Sequence, residues 1–207
     1  LTHDKPRFAF FQVFQPRGGG KRQAPTFDVI APGVAKHEEE IVLAPGAEPA
    51  ADPNLVLRVA VAAAEFGLPI APGTLRNLKK CPIGDRNWTD ESRELFIRLL
   101  ASGPALLNVW EDIDFIDVPG KLIPEWLGVR NRPSASAAHR YTIDRHMVEV
   151  VTRLGRETPS GGRYDDRHYE ALLLAGILHD IGKRPGVANH AAEGARHATV
   201  VVERMGF

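Results

Sequence analysis

ALLLAGILHDIGK, residues 171–183, decides how this chain is read. Leu172, Leu173, Leu174, Ala175, Ile177 and Leu178 are apolar nearly all round a helical wheel, which predicts a helix from about Asp166 to Ile181 buried at the centre of a bundle. The run then meets His179 and Asp180, followed by Ile181-Gly182-Lys183. Burying an ionised carboxylate costs several kcal/mol unless a cation or hydrogen bonds compensate. A divalent metal supplies that compensation, with imidazole nitrogen and carboxylate oxygen as its ligands.

One further histidine from a neighbouring helix completes a minimal cage, and His146 is the candidate. Thr142 is placed to cap a helix whose Ile143, Met147, Val150, Val151 and Leu154 form an apolar stripe. His146 sits about 85° from the centre of that stripe at 100° per residue, so it faces the next helix. Six of the eight histidines fall between residues 139 and 197. Of these, His139 is read as a loop-holding residue, and His168 and His197 as solvated helix positions. A third helix is predicted from about His190 to Met205, closing at Gly206.

Upstream, residues 51–127 read as a small helical module with its own core. Asp52 is the expected N-cap of a helix opening at Pro53 and carrying Leu55 to Phe66, with Gly67 as its stop. Shorter helices are expected over Thr74–Lys80, after Thr89 or Asp90, and from Pro104. Trp88, Trp110 and Trp126 are taken as packing residues. Residues 1–50 read as an irregular linker, with a possible short β-hairpin near residues 27–43 and the solvated run Glu38-Glu39-Glu40. PRGGGKRQAP, residues 16–25, lacks the spacing of a phosphate loop and reads as a linker.

Composition narrows the function classes. Lys+Arg and Asp+Glu both number 26, giving a formal net charge of zero, so there is no electrostatic footprint for nucleic acid or an anionic membrane. Cys81 is the single cysteine, which points to a reducing, cytoplasmic setting.

The motifs PEW (124–126), NRP (131–133), HRYTIDRH (139–146), ALLLAGILHDIGK (171–183) and NHAAEGA (189–195) occur in one order. With the stretch at residues 38–70, this series resembles the bifunctional uridylyltransferase/uridylyl-removing enzymes that modify the PII nitrogen-signalling protein. The resemblance implies an internal fragment, mainly α, joining an interdomain helical module to the N-terminal part of an HD-type phosphohydrolase domain over residues 128–207. It implies His146, His179 and Asp180 as metal ligands, with magnesium or manganese expected and iron or zinc also compatible. Lys183 is implied as a phosphate-holding point charge, and His190 as a further ligand, a phosphate donor or a general acid. The reaction implied is hydrolysis of a nucleotide from a PII tyrosine.

Three departures accompany the resemblance. The fourth, distal Asp is expected beyond Phe207, Asn189 stands where the family pattern has Asp, and no nucleotidyltransferase signature is present. The fragment alone is therefore expected to be inactive. Two other readings stay open at this level: an HD phosphohydrolase acting on a free nucleotide or alarmone, and a non-catalytic helical regulatory module.

Overall fold

The computed structural model describes residues 26–83, 88–134, 141–155 and 166–207. The linker reading of residues 16–25 and the role given to His139 concern residues outside these. Where a hairpin is expected over 27–43, the chain forms three strands, β1 (Asp28–Ala31), β2 (Val34–His37) and β3 (Glu40–Leu43), in an antiparallel meander ordered β1-β2-β3. The first turn passes through Gly33 at φ 75°, a conformation that glycine adopts without a Cβ penalty. Val34 and Ile41 turn inward, fully buried, while Glu38, Glu39 and Glu40 remain exposed. Ile41 also accepts from Ala71 N at 3.0 Å and donates to Pro69 O at 2.9 Å, which ties the sheet to the helices that follow.

Those helices are α1 (Leu55–Phe66), α2 (Pro72–Leu78), α3 (Asp90–Leu100), α4 (Ala105–Phe115) and α5 (Val118–Leu122), with a 3-10 turn at Pro124–Gly128. Gly67 ends α1 at φ 63°, as its sequence position predicts. Asp52 does not cap α1. Asn54 holds the N-cap position instead; Asp52 accepts from Asn54 N at 3.1 Å through Oδ1, and both its oxygens accept from Arg58 Nη2 at 2.7 Å, a charge-assisted pairing. The second helix starts earlier than the predicted Thr74, because Pro72 at its first position arrives with helical φ already set. Thr89 caps α3, accepting from Ser92 N at 3.1 Å. Trp88, Phe96, Trp110 and Trp126 stack in series, with successive ring centroids 5.2, 6.5 and 5.4 Å apart. That ladder fastens α3 and α4 to the 124–128 turn.

The chain ends in α6 (Ile143–Leu154), α7 (Asp166–Leu178) and α8 (His190–Arg204). Thr142 holds the N-cap position of α6 in extended conformation, but its side chain makes no capping bond. Burial of α7 is one-sided, not all round as the sequence predicts. Leu173, Leu174, Ile177 and Leu178 are buried, whereas Ala171 and Ala175 are exposed. The two alanines carry little apolar area, so leaving them in water costs little. Their side of α7 forms, with α8, an apolar groove of about 1010 Å³ lined by Leu174, Leu178, Ala198, Val202 and Phe207. Buried apolar residues from Val34 in β2 to Met205 after α8 form one contiguous core. The protein is thus mainly α-helical with a small antiparallel sheet. Among the described residues, no helix is long and apolar enough to cross a membrane.

Candidate metal centre

His146 projects from the first turns of α6, and His179 and Asp180 occupy the turn directly after α7. Of all the helix pairs, α6 and α7 pack most extensively. Gly176 is what lets them close. A Cβ there would stand 2.7 Å from Leu154 Cδ1 and 3.1 Å from Val151 Cγ2, so a larger residue would push both side chains aside at that crossing. The approach brings one ligand atom each from His146, His179 and Asp180 within 4.8 Å of one another. Both imidazoles aim Nε2 at the same oxygen: Asp180 Oδ2 lies 3.5 Å from His179 and 3.9 Å from His146. The two rings meet edge to face, with centroids 5.1 Å apart.

The donor set suits a divalent cation. Ligands about 2.1 Å from a common ion sit roughly 3 to 4 Å from each other, which is close to the spacing found. His179 Nδ1 donates to Gly176 O at 2.8 Å, which fixes the tautomer and leaves the Nε2 lone pair facing Asp180. Asp180 is the most buried of the three, at 9% exposure, while the histidines are partly open. A buried carboxylate oxygen with two imidazole nitrogens within 4 Å of it is an arrangement that suits a cation.

Lys183 and His190 are placed differently from each other. Lys183 Nζ is 2.8 Å from Asp180 Oδ2, inside the cluster. His190 is the exposed first residue of α8 and stands outside the three-residue cluster. Its backbone nonetheless packs on the turn, since a Cβ on Gly182 would lie 2.2 Å from His190 O and 2.3 Å from Gly194 N. Asn189, the residue before it, caps α8 by accepting from Ala192 N at 3.0 Å.

Supporting residues that the motif reading passed over hold the turn in place. Arg184 donates from Nη2 to Glu125 O and from Nε to Ile181 O, the latter at 3.2 Å. The Glu125 carboxylate takes Arg204 of α8 in a fork at 2.9 and 2.6 Å, and that bond holds its pKa below the usual carboxylate range. One residue of the 124–128 turn therefore anchors both the His-Asp turn and α8. His197, predicted as solvated, is buried, with Nε2 at 2.8 Å from Glu193 Oε1 one turn earlier. Asp144 is also buried and accepts from Asn131 N at 2.8 Å, holding the start of α6 against the preceding segment.

Fold and site together define a mainly helical protein with a two-histidine, one-carboxylate cluster at a helix–helix junction. Comparison with known proteins is specific. The chain is 39% identical over 194 residues to the bifunctional uridylyltransferase/uridylyl-removing enzyme of Streptomyces coelicolor, covering 92% of this chain and 22% of that protein. Its counterpart in Mycobacterium tuberculosis is 38% identical over 176 residues, covering 84% and 21%. That of Corynebacterium glutamicum is 34% identical over 159 residues, covering 75% and 22%. Over the stretch matched, the chain belongs to the bifunctional uridylyltransferase/uridylyl-removing enzymes. It spans about a fifth of the length of the curated relatives it matches. No family model matches the chain. No solved structure matches it either.

Proposed function

We propose that this chain carries part of the uridylyl-removing half of such an enzyme, an HD-type metal-dependent phosphohydrolase that takes UMP from a modified tyrosine of PII. In this reading residues 128–207 open the hydrolase domain, residues 51–127 are the module leading to it, and residues up to 50 form a linker with a sheet. The cytoplasmic setting and the PII partner belong to the same proposal. The observation that carries it is the meeting of His146, His179 and Asp180 around one oxygen, inside the stretch matched to relatives with that activity in their names.

His146 Nε2, His179 Nε2 and Asp180 Oδ2 would hold a divalent cation, magnesium or manganese first and iron or zinc as alternatives. When bound, such an ion lowers the pKa of a bound water and neutralises phosphoryl charge. The remaining work falls to the chain itself. Asp180 sets the negative charge at the centre, and the Gly176 carbonyl keeps His179 in the ligating tautomer. Lys183, partly exposed beside Asp180, is within reach of a phosphoryl oxygen. His190, at the exposed start of α8, is offered to the same substrate as ligand, phosphate donor or general acid. Tyrosine, with a free pKa near 10, leaves more readily than an aliphatic alcohol, so the demand on any acid is modest.

The decisive experiment uses the full-length enzyme with His179→Ala. Uridylyl removal from modified PII, followed by mass shift, should fall roughly a hundredfold or more, while uridylyl transfer continues. Removal at the wild-type rate in that variant would sink the proposal.

A further inference from the structure

Asp180 Oδ2 is contested. Besides the two imidazoles, it holds Lys183 Nζ at 2.8 Å, with the carboxylate side chain 11% exposed and the lysine 30% exposed. Resting on the metal-centre reading above, we propose that Lys183 is a built-in competitor for that centre. Its ammonium neutralises Asp180 until a divalent ion takes Oδ2, and it then transfers to a phosphoryl oxygen of the bound anion.

The physics is direct. Two cations on one largely buried carboxylate oxygen repel each other strongly, because water screens poorly there. The backbone of the turn is pinned, since Lys183 N donates to Asp180 O at 3.0 Å and Gly182 is clamped against α8. Exchange therefore needs only rotation of the four-carbon lysine stem, with no backbone movement. An ammonium is a freely rotating point charge, suited to such a transfer. The result is thermodynamic coupling: metal releases the lysine that an anion needs, and an anion holds the lysine away from the oxygen that a metal needs. Each ligand raises affinity for the other by the same factor.

Calorimetric titration of Mn²⁺, and of inorganic phosphate with and without Mn²⁺, tests this on the chain and on its Lys183→Met and His179→Ala variants. Lys183→Met should bind Mn²⁺ about tenfold more tightly than wild type, and His179→Ala should lose Mn²⁺ binding. Mn²⁺ should strengthen phosphate binding several-fold in wild type, and by a smaller factor in Lys183→Met. Equal or weaker Mn²⁺ binding by Lys183→Met, or an undiminished Mn²⁺ effect on phosphate, overturns the competition and leaves the metal centre standing. Binding by His179→Ala at wild-type strength, or none by either wild type or Lys183→Met, overturns the metal centre itself.

Discussion

Gly182 and Gly194 face each other where the His-Asp turn meets α8, and replacing each with alanine should have opposite effects. A Cβ on Gly182 would fall 2.2 Å from His190 O, 2.3 Å from Gly194 N and 2.6 Å from Gly194 Cα, all backbone atoms that cannot rotate away. Gly182 is not among the residues with positive φ, so alanine suffers no conformational strain there and the whole cost is steric. Relief requires the first turn of α8 to withdraw by about 1 Å, at about 1–3 kcal/mol. A Cβ on Gly194 finds its nearest neighbour at 3.5 Å, an ordinary contact. Within a helix, glycine to alanine gains about 0.5–1 kcal/mol. Urea denaturation would resolve both values, with the midpoint shifting and the slope unchanged. In a chain of this size each kcal/mol also moves Tm by about 2–4 °C. If Gly182→Ala came within about 0.5 kcal/mol of wild type, the scatter of a neutral surface change, the turn and α8 could not be in the close contact that the steric argument requires.

Two further perturbations follow from ionisable groups. Burial pushes the Cys81 thiol up to about 11, so labelling by a thiol reagent at pH 8 should be slow in the native chain and fast in urea. The unfolded thiol ionises near 8.5, so the thiol's contribution to stability is complete below that pH and lost as pH rises toward 11; a flat profile there would refute it. Glu125, held below the usual carboxylate range by Arg204, stabilises the fold above that range and ceases to as pH falls through its lowered value. Glu125→Gln should cost about 1–2 kcal/mol near neutrality and flatten the acid limb of the stability curve, measured by thermal melts from pH 7 to 3.

The candidate ligands were legible in the sequence because their signals are local. An apolar run ending in His179-Asp180 needs a counter-charge, and helical periodicity aims His146 toward the next helix. Positions set by the partner each group finds in the folded chain were not legible. The bridge between Ile41 and Ile70 is one such feature, and the pairing of Val34–His37 on both its sides turns the expected hairpin into three strands. Asp52 and Thr142 are good caps by residue type, yet one is taken by Arg58 and the other makes no capping bond. His197 looks solvated on a polar helix until Glu193 is seen beside it. The pairing of Lys183 with Asp180 depends on the shape of one turn. Gly176 and Gly182 did carry a signal, as glycines beside a metal motif, but only the packed helices reveal what each one admits.

The unbroken core from β2 to α8 has a mechanical consequence. A cut near residue 127 would not separate two self-sufficient bodies; it would strip Trp126 and the Glu125 anchor from the helices they brace. The meander and the ligand-bearing turn therefore rest on the same continuous core, with no seam of exposed residues between them, among the described residues, at which to divide the chain.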